Sequence, residues 1–196
     1  MMRKTRERAD AARNRQAILD AALALFAANQ DPAVLTMDAV AKAAAVGKGT
    51  LFRRFGDRAS LLRAVFDAQV DKLADAIDAG PPPLGPATPP AERVPAILEA
   101  IVALKLANRT LTHAVEAITP KAEGTGPFVS VRHAWIEERL EQLLGELIPR
   151  PHVPFTAHAL LNTTRIDLLD YLTARQGLSH DEIRREFRHF VQRVLT

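Results

Sequence analysis

Apolar side chains recur at helical spacing along almost the whole chain, and this periodicity limits the possible folds more than any other feature. Ile18, Leu19, Ala22, Leu25 and Phe26 form one face of a first helix, and similar spacing returns in the later segments. The sequence contains no β-type alternation of apolar and polar residues and no internal repeat. The pattern predicts an all-α protein with about nine helices.

Four of these helices are predicted within the first 79 residues. A polar cluster at residues 29–32 stops the first, and Thr36 is a suitable N-cap for a short second helix over residues 37–44. A third short helix follows at about residues 48–55. Gly56 and Asp57 then end that helix and begin a long fourth one.

A proline-rich stretch separates the first four predicted helices from the rest of the chain. Residues 80–90 (GPPPLGPATPP) contain six prolines and two glycines and predict a linker. Beyond it, helices are predicted at about 91–106, 108–119, 128–148, 155–175 and 180–195. The predicted organisation is a basic flexible arm (1–13), an N-terminal domain of three helices (14–66) and a C-terminal helical bundle (67–196).

Charge is distributed unevenly between these parts. The net charge of the 196 residues is only +3, but residues 1–66 carry 12 Lys or Arg against 6 Asp or Glu. A basic segment at one end is expected if that end meets a polyanion. The longest apolar run, residues 21–28, is too short to cross a membrane, and Cys is absent. We therefore expect a cytoplasmic protein without membrane contact.

The stretch AAVGKGTLFRRF at residues 44–55 has two interpretations. Its Gly-Lys-Gly-Thr resembles part of a nucleotide-binding phosphate loop. Such a loop needs Gly where Lys42 stands, Ser or Thr where Gly49 stands, and a preceding strand, so all three requirements fail. The alternative is a helix-turn-helix, because two short helices joined by a turn of three to four residues have its proportions.

The chemistry of this segment also favours contact with DNA. A recognition helix enters the major groove with its first turn, where Gly49 allows close approach and Lys48 and Thr50 can donate hydrogen bonds. Arg53 and Arg54 follow one turn later, within reach of flanking phosphates. A solvated helix face without a binding role is the alternative for Arg53.

Residues 35–66 (LTMDAVAKAAAVGKGTLFRRFGDRASLLRAVF) closely resemble the DNA-binding signature of the tetracycline-repressor (TetR) family, and residues 18–26 resemble its first helix. By position, the resemblance implies DNA-facing roles for Thr36, Lys48, Gly49, Thr50, Phe52, Arg54 and, on helix four, Arg58. Two positions depart from the family pattern. Phe52 replaces a usual Tyr, and Ala45 stands where a turn Gly is common, so we expect Ala45 to adopt a positive φ.

The family resemblance further implies a homodimer that binds a palindromic operator and releases it when a small-molecule effector enters the C-terminal bundle. Wide apolar faces on the last two helices are consistent with pairing across a two-fold axis. The predicted interface residues are Leu161, Thr164, Leu168, Phe187, Phe190, Val191 and Val194.

Polar residues that could line an effector pocket are scattered along the C-terminal half. The candidates are Asn108, His113, Glu116, Arg132, Trp135, Asn162, Arg165 and Tyr171. The six His residues lack a metal-binding spacing such as His-Glu-x-x-His, so the sequence predicts no metal, and it predicts no cofactor.

These observations are compatible with three classes of function. A ligand-responsive regulator, most simply a repressor, accounts for the basic helix pair and the larger bundle together. An enzyme would need converging acid, base or nucleophile groups, and the acidic residues lie on apparently solvated faces, so we expect no enzymatic activity. A DNA-binding adaptor or activator without a small-molecule inducer remains the alternative.

Overall fold

The computed structural model describes the backbone of residues 2–28, 35–118 and 131–195 and the side chains of residues 12–28, 35–118 and 132–195. The predicted polar cluster at 29–32 and the predicted break at 120–127 lie outside these ranges. The described part of the chain is all-α and contains no strand, which confirms the predicted fold class. Its helices are α1 (Met2–Ala28), α2 (Met37–Ala43), α3 (Lys48–Phe55), α4 (Arg58–Ala79), α5 (Pro90–Ala107), α6 (Arg109–Ile118), α7 (Val131–Leu144), α8 (Val153–Asn162), α9 (Ile166–Ala174) and α10 (His180–Val194).

Two compact units share these helices. Unit 1 consists of Met1–Asp71 together with Asn108–Thr119, and unit 2 of Lys72–Ala107 with Pro120–Thr196. Unit 1 therefore includes α6, which the predicted boundary at residue 66 assigned to the C-terminal domain. Leu111 and Ala114 of α6 explain the difference, because both are buried in the same apolar core as α1 to α4.

The core of unit 1 collects the apolar faces that the periodicity predicted. Its largest fully buried side chains are Ile18, Leu51, Leu61, Leu62 and Leu111. Burying a side chain of this size contributes roughly 1.5–3 kcal/mol. The short α2 and α3 are thus stabilised by packing, since helices of seven and eight residues would not persist alone in water.

Unit 2 has a separate core built from α5, α7, α8, α9, α10 and the end of α4. Its fully buried side chains include Ile77, Ile97, Leu98, Leu140, Leu144, Leu160 and Ile166. α5 contacts α10 and α7, and α7 in turn contacts α8. α5 accordingly lies in the middle of the bundle, and nine of its residues, Glu99 among them, are buried.

The proline-rich segment at residues 80–90 differs from the predicted linker. Its chain turns back on itself, and the Gly85 amide donates to the Pro81 carbonyl at 3.0 Å. Leu84 packs against the core of unit 2, and the Arg93 Nε donates to the Leu84 carbonyl at 2.7 Å. Because its apolar and backbone groups find partners within unit 2, the segment forms a packed loop instead of a spacer.

The predicted helix at 155–175 is divided into α8 and α9. Hydroxyls of Thr163 and Thr164 donate to the carbonyls three residues earlier, which competes with continued helix formation. Arg165 is extended (φ −64°, ψ 140°), and Lys105 Nζ donates to the Thr164 carbonyl at 2.8 Å. The break is therefore satisfied by side chains, and the described helices number ten instead of about nine.

At the other end of the chain, α1 begins at Met2, so residues predicted as a flexible arm are helical. The side chains of Arg3, Lys4, Arg6 and Arg8 lie outside the described part. Arg15 has a packing role within unit 1, since its guanidinium lies 5.2 Å from the centre of the Phe55 ring. Among the described residues, no helix combines the length and hydropathy needed to cross a membrane.

Candidate nucleic-acid interface

The turn between α2 and α3 has the geometry of a helix C-terminal motif. The Ala45 amide donates to the Lys42 carbonyl at 3.2 Å, and the Val46 amide donates to the Ala41 carbonyl at 3.0 Å. This bonding pattern requires a left-handed residue between the two helices. Ala45 adopts φ 52°, which confirms the prediction that a residue with a Cβ occupies the place suited to glycine.

The starts of α2 and α3 differ in how they are capped. The Thr36 hydroxyl accepts a hydrogen bond from the Ala39 amide at 3.1 Å, as predicted for the N-cap of α2. Gly47 is the N-cap of α3 and provides no side-chain cap. No side chain of the N-cap residue therefore covers the first amides of α3, which leaves room for an external hydrogen-bond acceptor.

α3 is anchored on one side and exposed on the other. Leu51 and Phe55 are buried in the core of unit 1, whereas Lys48 and Gly49 at the leading end are exposed. A Cβ placed on Gly49 would meet no atom within 4 Å. The leading end of the helix thus faces open space, as a recognition helix requires.

The remaining predicted DNA-facing residues of α3 surround this end. Thr50 is half-buried, and Phe52, 41% exposed, lies beneath the Lys48 ammonium at 6.0 Å from its ring centre. Arg53 is exposed and Arg54 half-buried. The positive charge of α3 is therefore displayed beside an exposed aromatic ring.

Arg58, predicted to contact phosphate, has a role within unit 1. Its Nε donates to the Leu35 carbonyl at 2.8 Å and so ties the start of α4 to the residues that precede α2. Asp57, immediately before it, accepts a 2.7 Å hydrogen bond from the Ser60 amide. That bond lowers the pKa of Asp57 below its ordinary value, because it favours the charged carboxylate.

These elements coincide with a known family model. Residues 18–65 match the model described as bacterial regulatory proteins, tetR family, and this range contains α2, the turn, α3 and the start of α4. Residues 18–65 are a TetR-type DNA-binding segment. The match confirms the predicted resemblance, and the helix-turn-helix of the TetR type lies in unit 1.

Similarity to other regulators extends over nearly the whole chain. The HTH-type transcriptional regulator SAR0097 of Staphylococcus aureus (strain MRSA252) is 27% identical over 183 residues, which cover 90% of this chain and 91% of that protein. Native NalD, the secondary repressor of the MexAB-OprM multidrug efflux pump in Pseudomonas aeruginosa, superposes with a TM-score of 0.61 at 20% identity, covering 95% of this chain and 98% of NalD. A TetR-family regulator structure from Rhodococcus sp. gives 0.64 at 18% identity, covering 93% and 98%. Both solved structures therefore share the fold of this chain.

The predicted effector residues are divided between the two units. Asn108, His113 and Glu116 belong to unit 1, and the other five belong to unit 2. A shallow cavity of about 270 Å³ in unit 2 is lined by none of the eight. Its lining residues are Glu99, Asp181, Arg184, Arg185 and Arg188.

Several of the unit 2 candidates make contacts within the chain. Arg165 binds both oxygens of Asp167, with contacts of 2.7 to 3.2 Å, and this lowers the pKa of Asp167. The Asn162 amide donates to the His158 carbonyl at 3.1 Å. Trp135 packs against the core of unit 2, and Arg132 is half-buried nearby in sequence. These contacts stabilise helix ends and packing.

The structure narrows the predicted dimer surface. Leu161, Thr164, Phe187 and Val191 are buried in the chain's own core and have little surface to offer a partner. The other predicted interface residues, Leu168, Phe190 and Val194, are 38%, 46% and 40% exposed, and Tyr171 on α9 is 52% exposed. The helical periodicity identified the apolar residues but did not separate inward from outward positions.

Two polar clusters in unit 2 were missed by the sequence analysis. Glu99 of α5 is buried between Arg184 and Arg188 of α10, 85 and 89 residues away. His133 and Glu137 of α7 meet His158 of α8. The four-residue spacing of His133 and Glu137 places them on one helix face, but no local signal points to the third residue.

Proposed function

We propose that this TetR-family regulator binds a palindromic operator as a homodimer, represses transcription there and releases the DNA when a small molecule binds unit 2. The observation that carries the proposal is the exposed leading end of α3. Lys48 and Gly49 project from a helix whose other face is buried through Leu51 and Phe55. This arrangement lets the first turn enter a major groove while the helix stays fixed to its core.

Charge and shape support direct contact with the duplex. Lys48 and Thr50 offer donors to base edges or phosphates, and Gly49 leaves space for the backbone to approach. Arg53 and Arg54 add positive charge on the following turn, where they would contact flanking phosphates. We assign Thr36 a phosphate contact at the start of α2 and Phe52 an apolar contact beside Lys48.

The homodimer is proposed from the exposed apolar residues of α9 and α10. Leu168, Tyr171, Phe190 and Val194 are large and lie exposed near the end of the chain. A two-fold dimer can bind successive major grooves when its two recognition helices are one helical turn of DNA apart, about 34 Å. NalD, which has the same fold, is named as a repressor, and this supports repression as the direction of control.

The effector is proposed as a small molecule bound within unit 2. Arg132, Trp135, Asn162, Arg165 and Tyr171 are the described candidates of that unit. A ligand that favours one arrangement of the dimer over another would change the spacing of the two α3 helices. Only one of the two helices could then bind in a major groove at a time. The alternative, an adaptor or activator without an inducer, needs the same helix pair but no such ligand.

Selection of bound fragments from random DNA by the purified protein tests the proposal. A two-fold symmetric consensus is expected, and salt should weaken binding as phosphate contacts release counterions. The double variant Lys48→Ala, Thr50→Ala should lose the consensus, and Gly49→Ala should weaken it. Lys72→Ala, which removes an exposed lysine of unit 2, is the matched control.

Two results would contradict the proposal. Unchanged binding by the double variant would remove α3 as the reading helix, and a consensus without symmetry would remove the dimer. Phe190→Glu should convert the protein to a monomer in sedimentation experiments, while Gln192→Glu on the same helix should not. Repeating the selection with candidate small molecules separates an inducible regulator from an adaptor.

A further inference from the structure

Three side chains of unit 2 bring metal-ligating atoms close together. His133 and Glu137 of α7 and His158 of α8 each offer one such atom, and these atoms all lie within 4.8 Å of one another. All three residues are half-buried. The cluster belongs entirely to unit 2 and shares no residue with the helix-turn-helix.

The surrounding core holds the two helices in place. Ile136 and Leu140 of α7 and Ala157 of α8 are buried in the same apolar cluster, next in sequence to the polar residues or within a turn of them. α7 packs directly on α8, so the two helices that carry the three ligand side chains are neighbours in the bundle.

The spacing of two of the groups fits a shared cation better than a shared proton. The distance between His158 Nδ1 and Glu137 Oε1 is 3.4 Å. A charge-assisted hydrogen bond between such groups is normally about 2.7–2.9 Å long. Ligands about 2.0–2.1 Å from a tetrahedral zinc ion are separated by roughly 3.3 Å, which matches the observed distance.

We propose that His133, Glu137 and His158 form a binding site for a divalent transition-metal ion of the zinc class. Two imidazoles and one carboxylate are a donor set preferred by zinc and its neighbours over Mg²⁺ or Ca²⁺, which select oxygen ligands. Three protein ligands leave a further position for water or another ligand. The site does not depend on the proposed operator binding.

Charged groups of both signs in unit 2 act on His133. Burial lowers the pKa of His133, because it disfavours the charged imidazolium. Glu137 supplies a negative charge. The positive charge of Lys105 also acts on His133, but its Nζ is held by the Thr164 carbonyl at 2.8 Å.

Calorimetric titration of the full chain, freed of any histidine tag and dialysed against chelator, tests the proposal. ZnCl₂ is expected to bind with one ion per chain, and CoCl₂ should produce visible absorption bands of low-symmetry coordination. MgCl₂ should give no binding. Absence of zinc binding at micromolar concentrations would overturn the proposal.

Matched variants locate the site. His158→Ala and Glu137→Gln should each weaken zinc binding at least about 100-fold, since loss of an outer-shell partner alone costs 10–100-fold. His189→Ala and Glu138→Gln, at exposed positions, should bind zinc like the parent protein. Glu137→Gln preserves the side-chain shape and keeps the test valid if His158→Ala unfolds. Parental affinity in Glu137→Gln would contradict the assignment.

Discussion

Lys48 Nζ at the leading end of α3 lies 2.7 Å from the Asp38 Oδ1 of α2. Both side chains are largely exposed, at 60% and 65%, so this ion pair contributes little to stability, about 0–1 kcal/mol. Its importance lies in its position. A phosphate that approaches Lys48 must compete with the Asp38 carboxylate.

The variant Asp38→Asn is therefore expected to bind DNA more tightly. Removing one exposed negative charge beside Lys48 should strengthen binding of a random-sequence duplex about two- to fivefold at low salt. Fluorescence anisotropy measures the change. The gain in affinity should disappear when Asp38→Asn is combined with Lys48→Ala, because no ammonium is then present for which the Asp38 carboxylate and the DNA phosphate compete. Weaker binding by a folded Asp38→Asn protein would contradict this role.

Relief of the strained turn should stabilise unit 1. Ala45→Gly replaces a residue at φ 52° by the one that adopts this conformation without steric cost. After allowance for the greater freedom of glycine in the unfolded chain, we expect the free energy of unfolding to rise by about 0.5–1 kcal/mol. Urea unfolding followed by circular dichroism measures it. Ala43→Gly, within α2, should instead be destabilising.

The packed proline-rich loop should tolerate no side chain at Gly85. A Cβ there would lie 1.6 Å from the Gly80 carbonyl oxygen, so Gly85→Ala must displace backbone. We expect a loss of about 3 kcal/mol or more in the free energy of unfolding. Gly49→Ala, which meets open space, is the matched control and should not be destabilised. Equal melting temperatures for the two variants would show that the loop is not packed as described.

The cap of α4 should make stability depend on acid pH. The folded pKa of Asp57 lies below its ordinary value of 3.8, because the Ser60 amide donates to the carboxylate. Its contribution is therefore complete above pH 3.8 and is lost as the pH falls through the lower folded value. Asp57→Asn keeps a capping side chain without titrating. The stability difference between parent and variant, measured by urea unfolding, should shrink below that pH.

The buried carboxylate of Glu99 should stabilise the bundle of unit 2. Glu99 accepts hydrogen bonds from Arg184 at 3.0 Å and from the Arg188 Nε at 2.9 Å. Because both arginines are about half exposed, Glu99→Ala should cost about 2 kcal/mol, less than the loss of a fully buried pair. Thermal unfolding measures the loss. Glu186→Ala on the exposed side of α10 should have almost no effect.

Local signals in the sequence predicted most of the helix-turn-helix. Thr36, Gly56 and Asp57 mark helix ends through hydrogen bonds within a few residues, so the bounds of α2 and α3 follow from neighbours in sequence. The positive φ of Ala45 could also be predicted, because its place between two helices requires a left-handed residue. These features depend on contacts over one or two turns.

Features that depend on distant residues could not be predicted in this way. The break between α8 and α9 is completed by Lys105, 59 residues before Thr164. The loop at 80–90 is ordered by Arg93 and by burial of Leu84, although its composition is typical of a spacer. Periodicity indicated apolar faces in the last two helices, but the choice between core and surface depends on which neighbours cover them.

By itself, the sequence determined the helical class, the pair of short helices and their resemblance to the TetR family, because helix period, caps and the spacing of short motifs are local properties of the chain. Tertiary structure alone decided that α6 joins unit 1, that Glu99 is enclosed by two arginines, and that His133, Glu137 and His158 meet. These arrangements bring together residues far apart in sequence. Their partners are selected by packing of whole helices, and no local pattern records that selection.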